Sequence, residues 1–128
     1  MLEATCHCGN VRLRIRHRPK SVTECNCSIC RRYGALWAYY STSQVEVDAA
    51  PGASAAYSWN DRTIDFHHCR TCGCLTHYSS TPASDRDRLA VNARMMTLSE
   101  LDGVKVRKFD GADTWRFIDE AESTLSGQ

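Results

Sequence analysis

Apolar and polar residues alternate along this chain with a period of two far more often than with a helical period. Val11, Leu13 and Ile15 are interleaved with Arg12, Arg14 and Arg16, and Val45 and Val47 with Glu46 and Asp48. Ile64 and Phe66 alternate with Asp65 and His67, Leu89 and Val91 with Ala90 and Asn92, and Val104 and Val106 with Lys105 and Arg107. Successive strand side chains point to opposite faces, so each of these segments predicts a half-buried strand. Residues 36–40 and 55–59 are short aromatic-rich runs, also of strand character. Pro51-Gly52, Asn60-Asp61, Asp102-Gly103 and Asp110-Gly111 mark the turns. Helix is expected in two short places only: over residues 28–33, and over 97–101 with Thr97 capping toward Glu100. The pattern predicts a small, mainly β fold of several short antiparallel strands with little helix. Residues 79–84 read as a mobile loop and the polar tail 119–128 as frayed.

Composition qualifies this picture. The 128 residues suit one domain over 1–128 with its core in about 4–110, and no repeat or linker interrupts them. Ile, Leu, Val and Phe number only 22, so the apolar core is thin, although a formal charge of +1 does not fit a disordered chain. A structural metal joining distant segments would supply what the core lacks. The near-neutral charge argues against a broad nucleic-acid footprint. The basic residues at 12, 14, 16 and 18 alternate with other residues as on the solvated face of a strand. No apolar run approaches the ~20 residues of a membrane span. The N-terminal residues Met1-Leu2-Glu3-Ala4-Thr5 lack the features of a secretory signal, so a cytoplasmic, reducing location is expected.

Eight cysteines change the reading most. Cys25-Asn26-Cys27-Ser28-Ile29-Cys30-Arg31-Arg32 sets three thiols within six residues and follows them with two guanidinium groups. Cys6-His7-Cys8-Gly9 and Cys69-Arg70-Thr71-Cys72-Gly73 are short thiol pairs, each followed by glycine, like the two halves of a zinc knuckle. Disulfides are the competing use of eight cysteines, but thiols one or two residues apart bridge poorly and a reducing compartment keeps them free. The spacing therefore divides them into a closed four-ligand site, Cys6, Cys8, Cys69 and Cys72, and an open three-ligand site, Cys25, Cys27 and Cys30, with Cys74 left over. Two zinc ions per chain are expected. A closed site is structural, whereas a zinc with three protein ligands keeps a position for chemistry. Arg31 and Arg32 suit a substrate bearing carboxylates. Tyr33, Trp37, Tyr39 and Tyr40 are candidates for a pocket lining, with ordinary core packing as the alternative. His7, His67 and His77 read as structural or exposed, and Asn92 and Arg94 as strand-edge residues.

Together, the motifs Cys6-His7-Cys8-Gly9-Asn10-Val11-Arg12, Cys25 to Ala35, Cys69-Arg70-Thr71-Cys72-Gly73 and Val91-Asn92-Ala93-Arg94-Met95 resemble the glutathione-dependent formaldehyde-activating (GFA) family, which includes the centromere protein V domain. The resemblance runs over roughly residues 4–110. It implies a zinc-clamped β-tent, structural zinc on Cys6, Cys8, Cys69 and Cys72, and catalytic zinc on Cys25, Cys27 and Cys30. It also implies a carbon–sulfur lyase acting on a thiol–aldehyde adduct such as S-hydroxymethylglutathione, with Arg31 or Arg32 clamping a glutathione carboxylate. Cys74 and His68 depart from the family pattern, and either is a candidate fourth ligand of the second zinc, with His68 also a candidate general base. A second reading is a non-catalytic zinc-binding interaction module whose two sites are both structural. A third is a redox thiol protein.

Overall fold

The computed structural model describes residues 1–59 and 61–118. The expected frayed tail lies outside them, as does Asn60 of one expected turn. Eleven strands are present among the described residues: β1 (Leu2–Thr5), β2 (Val11–Ile15), β3 (Ser21–Cys25), β4 (Trp37–Tyr40), β5 (Val45–Ala49), β6 (Ser54–Ser58), β7 (Ile64–Cys69), β8 (Leu75–Ser80), β9 (Leu89–Asn92), β10 (Lys105–Asp110) and β11 (Arg116–Phe117). The two α-helices, α1 (Ser28–Tyr33) and α2 (Leu98–Leu101), are short, and Thr97 and Glu100 form the expected capping box on α2. No helix among the described residues is long and apolar enough to cross a membrane.

The strands form a three-stranded sheet, β1-β2-β5, and an eight-stranded sheet in the order β11-β10-β3-β4-β9-β8-β7-β6. Every pair is antiparallel except β10 with β3, which is parallel. Alternation along β2 buries Val11, Leu13 and Ile15 completely. Their faces meet Val22, Ala38, Tyr40, Leu89 and Val91 of the long sheet in one aliphatic core. Arg14 points the other way, to solvent, where it binds Glu3, Glu46 and Asp48 at 3.0 to 3.4 Å. The basic strand is thus a solvated face crossed by carboxylates.

The opposite face of the long sheet carries a second, ring-rich core of Trp37, Phe66, Tyr78, Leu75 and Ala90. Residues 37 to 40 show the division: Trp37 belongs to this core, whereas Ala38 and Tyr40 belong to the aliphatic one. Each face also holds one group of thiols.

Four strands escape the alternation rule. β1, β3 and β11 are short and mixed in character, and β8 buries Thr76 and His77 along with Leu75 and Tyr78, so no period of two remains. Ser79 and Ser80, expected in a loop, fall in β8, and only 81–84 turn, closed by the Ser84 N–H on the Thr81 carbonyl at 2.9 Å. Val106, expected inside, is 41% exposed. It pairs with buried Val22 but lies one strand farther out.

Candidate metal centres and the chambers beside one of them

Cys6 and Cys8 approach the knuckle from the β1–β2 turn, and Cys69 and Cys72 from the β7–β8 turn. Gly9 at φ +84° and Gly73 at φ +80° supply the left-handed backbone that closes each turn on its sulfurs. Their N–H groups bond back to the carbonyls of Cys6 and Cys69 at 3.1 and 2.9 Å. The N–H of Val11 donates to Cys6 Sγ at 3.3 Å, and that of Cys72 to Cys69 Sγ at 3.5 Å. All four sulfurs lie within 4.8 Å of one another. Cys6 to Cys8 is 3.7 Å and Cys8 to Cys69 is 3.6 Å. A tetrahedral ion with Zn–S bonds of about 2.3 Å has edges of about 3.8 Å, so the spacing fits zinc. The N–H groups of Cys74 and Cys8 hold the Cys72 thiol down to about 5, favouring the thiolate a metal needs. No disulfide joins any of the eight cysteines in the structure.

The second cluster is made almost locally. β3 ends at Cys25, the chain turns, and Cys27 becomes the N-cap of α1, its sulfur accepting the N–H of Cys30 at 3.4 Å. One helical turn then brings Cys30 back, and Gly34 at φ +66° ends the helix. The three sulfurs lie within 4.8 Å of one another, and no fourth Cys, His, Asp or Glu joins them among the described residues. The Trp37 indole donates to Cys30 Sγ at 3.4 Å. Cys30 donates in turn to Cys25, and the N–H groups of Cys27 and Gly111 add to it, so the Cys25 thiol is pulled down to about 6 while Cys30 is pushed far up. Gly111 comes from the β10–β11 turn, and a Cβ there would stand 2.7 Å from Cys25 Sγ and 3.2 Å from Cys27 Cβ. Only glycine allows this turn so close to the sulfurs. Asn26 fastens it, donating to Asp110 Oδ1 and accepting the N–H of Ala112, both at 3.0 Å.

Two chambers adjoin this cluster. The smaller, about 420 Å³, includes Cys25, Cys30, Arg31, Arg94 and Lys108. Lys108 is paired with Glu24, and Arg94 donates from Nε to the Gly34 carbonyl at 2.5 Å. The larger, about 690 Å³, is reached by all three thiols and is walled largely by rings.

The candidate residues sort themselves accordingly. Arg31 lines the smaller chamber, but Arg32 turns back to the Ser28 carbonyl at 2.8 Å and lines neither. Trp37 and Tyr39 line the larger chamber, whereas Tyr40 bonds the His17 carbonyl within the aliphatic core and Tyr33 packs on Phe66. Cys74 stands with the closed cluster: the His7 N–H donates to it and its thiol meets Cys72. Its place follows from the Cys69 N–H bond to its carbonyl at 2.9 Å, which folds it over the knuckle. His68 joins neither thiol group. His67 and His77 stack at 4.2 Å, and burial holds His77 down to about 3, so they are neutral packing groups. Asn92 accepts the Arg94 N–H and donates to the Leu75 carbonyl, a structural role. Arg94, read as a strand-edge residue, is in fact a chamber wall. Arg88, Trp59, Phe109 and Trp115 line the larger chamber and Gly111 abuts its sulfurs, and nothing in the sequence marks them as site residues beyond the Asp110-Gly111 turn signal.

A family described as "Glutathione-dependent formaldehyde-activating enzyme" matches residues 1–108. No curated protein matches the chain significantly. Among solved structures, the crystal structure of a Rhodobacter sphaeroides protein is similar, with a TM-score of 0.66 and 28% identity over 82% of this chain and 99% of that one.

Proposed function

The chain belongs to the glutathione-dependent formaldehyde-activating enzyme family, and on that premise we propose that it is a carbon–sulfur lyase acting on the adduct of glutathione, or a similar thiol, with an aldehyde. S-hydroxymethylglutathione is the simplest such adduct. One observation carries the reading. Three thiols converge within 4.8 Å, no fourth protein ligand joins them among the described residues, and all three reach a chamber.

In this reading Cys6, Cys8, Cys69 and Cys72 hold a structural zinc, and Cys25, Cys27 and Cys30 a catalytic one. Bound there, zinc would be soft enough on three thiolates to prefer sulfur and would favour the thiolate form of a thiol near neutral pH. Arg31 and Arg94 face the smaller chamber without a carboxylate partner among the described residues, and they receive the carboxylates of the thiol. Cleavage breaks the C–S bond with its electron pair staying on sulfur, while the adduct hydroxyl loses its proton to solvent and becomes the aldehyde carbonyl. The reverse reaction consumes the same proton and re-forms the C–S bond. The rival reading, a module with two structural zincs, needs a fourth ligand at the second cluster, and Cys74 stands at the first.

The test is metal analysis followed by magnetisation-exchange NMR of glutathione with formaldehyde. Two zinc ions per chain are expected, with exchange faster than the uncatalysed rate and lost in Cys27→Ser. Replacing Arg31 with Ala is expected to weaken glutathione binding about tenfold, since a charge-assisted hydrogen bond is worth roughly 1.5–3 kcal/mol. A zinc-loaded protein with no glutathione binding and no faster exchange overturns the lyase reading.

A further inference from the structure

The two chambers differ in chemistry as well as in size. The smaller presents guanidinium groups, which answer the ionic ends of a peptide thiol. The larger presents Trp37, Phe66 and Tyr78 from the sheet and Phe109, Trp115 and Phe117 from the C-terminal hairpin. A hydroxymethyl group adds only two heavy atoms to sulfur and leaves most of about 690 Å³ unfilled. Large rings stand around it: Trp115 is 70% exposed and Phe117 41%, both edge-on to Phe109, with the Arg107 guanidinium 3.8 Å over the Phe117 ring. Exposed rings grouped about a cavity mark a binding surface more than a fold requirement. Phe109, Trp115 and Phe117 also lie beyond the residues matched by the family, so that pattern does not set this wall.

Arg88 is a cation built into the chamber. The Arg88 guanidinium lies 5.0 Å over the Tyr39 ring. Its backbone is locked to Ser80, with the Ser80 N–H on its carbonyl at 3.1 Å and its own N–H on Ser80 Oγ at 3.3 Å. No carboxylate among the described residues pairs with it. Arg86 and Asp61, which also line the chamber, contribute one charge of each sign, and Asp61 is engaged by the Thr63 N–H and hydroxyl. A planar, oriented guanidinium beside aromatic faces suits a carboxylate carried on a ring.

We propose that the larger chamber is the aldehyde-side subsite and that this chain takes thiol adducts of aromatic aldehydes bearing a carboxylate, the ring held among Phe66, Trp115 and Phe117 and the carboxylate on Arg88. The proposal deepens the lyase reading and rests on it.

Stable thioethers test it on the full-length, zinc-loaded protein by calorimetry. S-methylglutathione, S-benzylglutathione and S-(4-carboxybenzyl)glutathione present a methyl group, a ring, and a ring with its carboxylate. Affinity is expected to rise about tenfold at each step, as burial of a ring and then a charge-assisted pair would give. Trp115→Ala, at an exposed position that tolerates truncation, is expected to erase the methyl-to-benzyl step. Arg88→Gln is expected to erase the benzyl-to-carboxybenzyl step, and Arg88→Lys to restore part of it. Equal affinity for the three thioethers, with glutathione still bound, overturns the aldehyde-side assignment and leaves the lyase reading standing. If neither glutathione nor any thioether binds, both fall together.

Discussion

The two thiol clusters lie on opposite faces of one sheet and are built in opposite ways. The four-thiol cluster joins turns whose sulfurs are as many as 66 residues apart in sequence, from Cys6 to Cys72, and packs against the aliphatic core. The three-thiol cluster comes from six consecutive residues and faces rings and open volume. Long-range ligands tie the chain together, because binding them all requires the fold. Local ligands ask little of the fold and leave it free to shape what surrounds them. In the reading proposed above, the difference would separate holding from reacting within one small protein.

Substituting one thiol in each cluster tests that separation most severely. Cys72→Ser is expected to abolish cooperative thermal unfolding, because structural zinc in small domains contributes on the order of 10 kcal/mol to folding and this core is thin. Cys27→Ser is expected to keep a cooperative transition and one zinc, since a serine oxygen can still cap α1 for the Cys30 N–H. Equal loss of melting temperature in the two variants would erase the comparison.

A smaller effect is expected from Gly111→Ala. The new Cβ would stand 2.7 Å from Cys25 Sγ, so either the turn or the sulfur must move. Overpacking of this kind costs about 1–3 kcal/mol. We expect chelator competition to show zinc leaving the three-thiol cluster at least tenfold more readily, with the four-thiol cluster retaining its ion. Matched loss from both clusters would mean that they are coupled. The smallest effect belongs to Thr71→Val, which removes the exposed 3.3 Å contact of Asn10 with Thr71 between the two knuckle turns. Denaturant unfolding should shift by less than about 0.5 kcal/mol. A larger shift would assign the knuckle's strength to its outer polar contacts.

β2 was legible because one of its faces is buried and the other wet, with Leu13 inside and Arg14 in its carboxylate row. β8 was hidden because Thr76 and His77 are buried beside Leu75 and Tyr78, and their hydrogen bonds leave no hydropathy signature. The thiol clusters could be read because ligand geometry is written in local spacing. The chamber could not. Arg88, Phe109 and Trp115 meet the thiols only through the pairing of distant strands, and one sequence carries no sign of that pairing. Arg32 misled for the opposite reason: adjacent to the motif in sequence, it lies on the helix side from which it returns to Ser28.

The parallel pairing of β10 with β3 has a consequence in time. It joins residues 84 positions apart, such as Lys108 and Glu24, and delivers Gly111 to Cys25. A ribosome adds about 5–20 residues per second, so the three thiols precede their covering hairpin by roughly 4–17 seconds. During that interval the nascent chain displays the whole triad without its wall. The three thiols are thus made first, and the chamber walls that we propose discriminate among substrates close around them afterwards.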